Sequence, residues 1–199
     1  QPGCYRDVKD TTCTAQFRVI RDARSEKLFE GVEGDLYFLA WTTTPWTLPS
    51  NTALAVGPAI EYVQVKCRNP YTDRPQTVIL AKELLHNFFP KKNEELPLDG
   101  YGGDGKNIPY RVIGEYMGKD LAGVEYEQLI PWIKPDGDAF RVITGDFVTT
   151  TLDAANLHVA NPSSSDIQTQ EYIIVSGRDT VHSLRAEALA AGIDPKEVE

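Results

Sequence analysis

Short runs dense in β-branched and aromatic residues recur along the chain, each closed off by Gly, Pro, Asp or Asn. They fall at residues 36–41, 62–65, 77–80, 111–113, 140–143 and 147–150. Side chains branched at Cβ or carrying rings fit a pleated, half-buried surface, and the bounding residues break ladders or favour turns, so these runs are expected to be strands. Only two stretches have the spacing of a helix. Residues 81–89 follow a strand, and residues 180–191 place Val181, Leu184, Ala188 and Ala191 on one face before Gly192, a suitable C-cap. The expected class is therefore mixed α/β and rich in β, in one domain spanning residues 1–199. Residues 87–107, with Pro90, Pro97 and glycines at 100, 102, 103 and 105, form an expected surface excursion. No strand-to-helix pattern flanks that glycine cluster, so a flexible turn is the expectation, not a phosphate loop.

At 199 residues and 41% hydrophobic content the chain can bury a real core. It opens at Gln1, not a methionine, which suggests a piece of something longer or a trimmed terminus. No window of about 18 consecutive apolar residues exists, and residues 1–19 are charged throughout, so neither a membrane span nor a signal peptide is expected. Cys4, Cys13 and Cys67 make an odd count at spacings that match no zinc pattern; free thiols in a reducing cytoplasm are expected, and no metal. The net charge of −9 gives no broad attraction for phosphate backbones. A nucleic-acid partner is compatible with that charge only if its main grip lies elsewhere, and Lys91-Lys92 is a solvated pair, not a basic patch.

The most informative segment is Trp41-Thr42-Thr43-Thr44-Pro45-Trp46-Thr47-Leu48-Pro49-Ser50-Asn51. Two prolines and two tryptophans suit a central strand poorly, so the chain must leave the sheet here. Three threonines at a strand end bring hydroxyls and backbone amides together, able to hold a water, a ribose or an ester carbonyl. On physical chemistry alone a simpler reading competes: threonines that finish a strand, and tryptophans packed as core anchors.

These eleven residues resemble the threonine-rich peptide of the editing domain inserted in isoleucyl-tRNA synthetases. Cys4-Tyr5-Arg6-Asp7-Val8-Lys9-Asp10 resembles the beginning of that domain. Gly114-Glu115-Tyr116, Tyr126-Glu127-Gln128-Leu129 and Pro131-Trp132 resemble its middle, and Gly145-Asp146-Phe147-Val148-Thr149-Thr150 the strand before its second motif. The likeness is strong over residues 1–151 and weak over 152–199. It implies a β-barrel-like core inserted into a Rossmann-type catalytic domain that is absent from this sequence and would bind ATP. It implies no cofactor in the domain itself, no membrane, and a cytoplasmic setting. The implied partners are the parent catalytic domain and the acceptor end of tRNA(Ile) carrying valine, and the implied activity is hydrolysis of that mischarged ester by a positioned water. The implied catalytic residues are Thr42, Thr43, Thr44, His158 and Asp166, with Trp41, Trp46 and Asn51 binding substrate. Threonine hydroxyls are too weakly acidic to act as bases at neutral pH, so positioning is their expected role.

The second motif departs from the family pattern. His158 keeps the register of the family histidine, but Asp153 and Ala155 replace two glycines that allow close backbone approach. The aspartate thought to hold the substrate's ammonium is matched best by Ile167, with Asp166 one residue early and Asp153 a second candidate. A rival register, through Thr180-Val181-His182, would make His182 the site histidine. His86, within the first helical stretch, is expected to be structural. Two readings of different class follow: a hydrolytic editing domain, favoured by the complete threonine-rich peptide, and a degenerate domain kept for its fold and tRNA contact, favoured by the lost aspartate. A generic β-rich binding module is a third.

Overall fold

In a computed structural model the described residues are 13–42, 45–103, 106–132 and 135–148, with the backbone of 158–162 and 172–174. The strands are β1 (Cys13–Arg18), β2 (Asp35–Thr42), β3 (Ala53–Val56), β4 (Glu61–Arg68), β5 (Pro75–Ala81), β6 (Tyr110–Met117), β7 (Arg141–Thr144), β8 (His158–Pro162) and β9 (Tyr172–Ile174). They form two sheets. The first has the order β1-β2-β5-β4-β6 and is antiparallel except where β2 meets β5; the second has the order β7-β3-β8-β9, with β3 parallel to β7.

The first sheet is buried on both faces. One face presents Phe17, Leu36, Phe38, Tyr62 and Ile79, which share a core with Leu54, Val56 and Val142 of the second sheet. The other presents Leu39, Val63, Val65, Val78, Leu80 and Tyr110 to Leu85 and Phe89. A strand with both faces covered reads as a continuous apolar run, which is why residues 77–80 show so little alternation. The sheets are also stitched edge to edge. Glu127 donates its N–H to the Arg18 carbonyl (2.8 Å), Ile20 donates to Glu125 (2.9 Å), and Val142 donates to Val124 (2.8 Å). Segment 124–127 thus runs between the two sheets, which nonetheless do not close into a barrel among the described residues.

Several expectations are corrected. Residues 81–89 do not form one helix: Ala81 is held in the β5 ladder opposite Tyr62, a 3-10 turn follows at Lys82–Leu84, and α1 (Leu85–Phe88) is a single turn. Pro90 explains the stop, since Phe89 before it is forced to extended backbone (φ −124°, ψ 93°). Residues 147–150 were expected as a strand, yet Phe147 sits in a turn closed by Val148 N–H to the Gly145 carbonyl (3.2 Å); residues 149 and 150 lie outside the described residues. Strand β7 begins at Arg141, because Phe140 is left-handed (φ 62°), fixed by its N–H to the Thr52 carbonyl (2.6 Å). The expected helix at 180–191 lies outside the described residues. The 87–107 excursion is pinned by Arg111, which donates to the carbonyls of Glu94 and Leu96, and by Arg68, which donates to Leu98. His86 is exposed within α1, its Nδ1 3.3 Å from the Phe89 carbonyl oxygen. Among the described residues no helix is long and apolar enough to cross a membrane.

The join between β6 and the short helix α2 (Gly118–Leu121) requires a glycine. A Cβ on Gly118 would overlap the Gly57 carbonyl and stand 3.0 Å from the Tyr62 ring, whereas one on Gly137 would meet nothing. Gly118→Ala is therefore expected to lower unfolding free energy in urea by about 1–3 kcal/mol, the range for overpacking, and Gly137→Ala to shift it by no more than about 0.5 kcal/mol. Cys13 and Cys67 are both free. Burial pushes the Cys67 thiol up to about 12, against a weaker opposing effect from the Gln76 amide. At pH 8 its thiolate fraction falls to on the order of 10⁻⁴. Peptide mass spectrometry after iodoacetamide treatment is expected to find Cys67 unmodified in native protein and modified in urea-unfolded protein.

Candidate functional site

The threonine-rich peptide is the crossover from the first sheet to the second. Its first two residues still belong to β2, where Trp41 pairs with Thr14 and Thr42 pairs with Cys13 on the last rung of the β1–β2 ladder. Side chains alternate along a strand, so Thr42 shares the face of Leu36, Phe38 and Ala40 and points toward the core between the sheets. It is 2% exposed. The strand end therefore buries its first threonine instead of displaying it. Thr43 and Thr44 lie outside the described residues.

A 3-10 turn (Pro45–Ser50) carries the chain across. Leu48 anchors the turn in the shared core, and the Asn51 N–H closes it on the Leu48 carbonyl (3.1 Å). Trp46 is 65% exposed and Trp41 half-buried, so the reading of the tryptophans as core anchors fails for Trp46. Asn51 is buried, and both ends of its amide are engaged. Its Nδ2 donates to the Ala53 carbonyl (2.8 Å), and its Oδ1 accepts from the Tyr126 hydroxyl (2.8 Å). Nothing in the strand-and-turn reading of the sequence singled out Tyr126 for this part. The available signal was the alternation of buried Val124 and Tyr126 with polar Glu125 and Glu127. Tyr126 is held edge-on by Phe17 (centroids 5.3 Å apart) and Phe140 (6.1 Å), and burial raises its pKa well above the ordinary tyrosine value.

Strand β8 lies beside this peptide. It pairs antiparallel with β3, His158 opposite Ala55 and Ala160 opposite Ala53, and its backbone also runs beside β2 and the 45–50 turn. The strand that carries His158 thus adjoins both the approach to and the exit from the threonine-rich peptide. Asp153, Asp166, Ile167 and His182 lie outside the described residues.

Several cations of the described residues are held in ion pairs away from this junction, as at the start of β2. Arg18 pairs with Asp35 (2.8 Å) and Glu127 (3.3 Å), Arg21 with Glu26, Lys66 with Glu33 (2.6 Å), and Lys82 with Glu61 (3.3 Å) and Glu115 (3.2 Å). Among the described residues no group of three His, Cys, Asp or Glu side chains is placed to hold a metal ion. The polar groups gathered here are hydroxyls, amides and backbone, which suit positioning a neutral nucleophile better than generating a charged one.

No family model matches the chain. It is 55% identical over 168 residues to the isoleucine–tRNA ligase of Porphyromonas gingivalis, a match covering 83% of this chain and 14% of that protein. The corresponding enzymes of Bacteroides fragilis (55% over 166 residues) and Cytophaga hutchinsonii (49% over 166 residues) match with the same coverage. The chain therefore spans about one-seventh of the length of these relatives. Among solved structures, the editing domain of Plasmodium knowlesi cytosolic leucyl-tRNA synthetase superposes with a TM-score of 0.51 at 12% identity, over 73% of this chain and 56% of that one. Sequence kinship to one synthetase and the fold of another's editing domain agree: the chain belongs to the isoleucyl-tRNA synthetase family, and its fold is that of a synthetase editing domain.

Proposed function

We propose that this domain hydrolyses the ester of valine mischarged onto tRNA(Ile), using a water positioned by Thr43 and Thr44, with buried Thr42 bracing them from the core side, His158 beside them and no metal or other cofactor. The observation that carries the reading is the complete threonine-rich peptide, set at a sheet-to-sheet crossover against the strand bearing His158.

The chemistry explains why such a site is needed. Isoleucine exceeds valine by one methylene, and an apolar pocket separates such a pair by only about 1–3 kcal/mol, this pair being the standard illustration of that limit. A second pocket too small for isoleucine restores accuracy. Ester hydrolysis there needs an oriented water and donors for the developing oxyanion, not a covalent nucleophile. In this reading Trp46, which is exposed, and Trp41 face substrate, and Asn51 acts by holding the peptide in place. The net charge of −9 supports a division of labour: the tRNA is gripped mainly by the rest of the parent synthetase, whose catalytic domain uses ATP, in the cytoplasm.

The departure at Ile167 supports a second reading, a domain that keeps the fold and the tRNA contact but hydrolyses weakly. The substrate's α-ammonium loses water on binding, and burying it without a partner costs several kcal/mol. Ile167 cannot supply a carboxylate, so residual activity falls to Asp166, with Asp153 second. Deacylation of valyl-tRNA(Ile) and isoleucyl-tRNA(Ile) separates the readings. Weak cleavage is expected, faster for the valyl ester by roughly 5- to 150-fold, reduced by Asp166→Ala, raised by Ile167→Asp and unchanged after chelation. Equal cleavage of both esters overturns the proposal, and brisk cleavage indifferent to Asp166→Ala overturns the ammonium assignment. Loss of activity on chelation, restored by stoichiometric zinc, overturns the metal-free mechanism.

A further inference from the structure

We infer that Tyr126 is a positioning residue, which through Asn51 sets the threonine-rich peptide and strand β8 in register with each other. The inference rests on the hydrolytic reading above for its kinetic consequence, and on geometry alone for the positioning itself.

The Tyr126 hydroxyl is buried and donates a hydrogen bond to Asn51 Oδ1 (2.8 Å). That bond fixes the rotation of the Asn51 amide, whose Nδ2 then meets the Ala53 carbonyl (2.8 Å). Two elements depend on this one amide. Upstream, the Asn51 N–H closes the 3-10 turn that follows the threonines. Downstream, Ala53 is the rung of β3 that faces Ala160, two residues from His158 on the same strand. Without the hydroxyl, the Asn51 amide can rotate, and the turn and the β3–β8 ladder lose their common reference. A misplacement of about 1 Å in a catalytic array costs on the order of 10²-fold in rate. The ring of Tyr126 is separately held by Phe17 and Phe140, so replacing it with Phe removes the hydroxyl and keeps the packing.

The test compares Tyr126→Phe, Asn51→Ala, the double variant and Gly118→Ala in the full 199-residue chain, at a temperature where all are folded. Hydrogen exchange is read first. Tyr126→Phe is expected to speed exchange in residues 45–53 at least tenfold and to leave β4 and β5 unchanged, whereas Gly118→Ala, whose clash is with Gly57 and Tyr62, speeds exchange in β4 and leaves residues 45–51 unchanged. Deacylation of valyl-tRNA(Ile) is read second. Tyr126→Phe is expected to lower kcat tenfold or more with KM within twofold, the double variant to fall no further than the worse single one, and Gly118→Ala to keep the wild-type kcat. Unchanged exchange in residues 45–53 overturns the positioning, and faster exchange with unchanged kcat overturns its part in the reaction. A wild type that hydrolyses neither ester overturns the functional reading and the kinetic half of this inference with it, while the exchange pattern still upholds or overturns the positioning.

Discussion

Between the end of β2 and the start of β3 the chain must leave one sheet, cross the top of the shared core and enter another. Backbone polar groups at such a junction lose both ladder partners and water, and each buried group left unpaired costs about 1–3 kcal/mol. The molecule meets this constraint with a 3-10 turn, which satisfies its own amides, and with the Asn51 side chain, which replaces the missing ladder at the exit. Asn51 in turn needs a donor for its carbonyl oxygen, and Tyr126 supplies one from the segment that stitches the sheets together. The site's architecture therefore depends on a residue far from it in sequence.

The two sheets share one core, and the first sheet carries a second core on its outer face. This has a consequence for the site. With β2 buried on both sides, its end is a rigid platform, and Thr42 inherits that rigidity as the last paired residue. Groups that act by position, as proposed for Thr43 and Thr44, need such a platform, since a freely rotating hydroxyl orients water no better than solvent does. The prolines at 45 and 49 add stiffness by fixing φ within the turn. Exposed Trp46 stands out from this rigid base, an amphipathic ring with no core to fill.

Electrostatics sets the limits of the domain's own reach. A chain of net charge −9, in which cations such as Arg18, Lys66 and Lys82 are already ion-paired, has no broad attraction for a polyanion. Exposed ion pairs of this kind contribute little stability each, so their main effect is on the field the surface presents. This charge is what the division of labour proposed above requires, and the chain spans about one-seventh of the length of its relatives.

The residue pattern by itself determined that the chain is β-rich, and the runs at 36–41, 62–65, 77–80 and 111–113 became β2, β4, β5 and β6, because branched and aromatic side chains at such spacing pack only on a pleated surface. The eleven-residue peptide was also legible, since two prolines within five residues cannot continue a strand and the whole peptide resembles that of one synthetase family. Local pattern could not decide where elements stop. The helix expected at 81–89 shrank to one turn because Ala81 was claimed by the β5 ladder and Pro90 fixed the other end, and β3 escaped notice because Ala53-Leu54-Ala55-Val56 is short and lacks aromatics. Tertiary structure alone decided that Thr42 is buried, Trp46 exposed and Asn51 turned inward. Those outcomes depend on which strand ends meet across sheets, and on a hydroxyl 75 residues away in sequence reaching a buried amide, a pairing that no local period encodes.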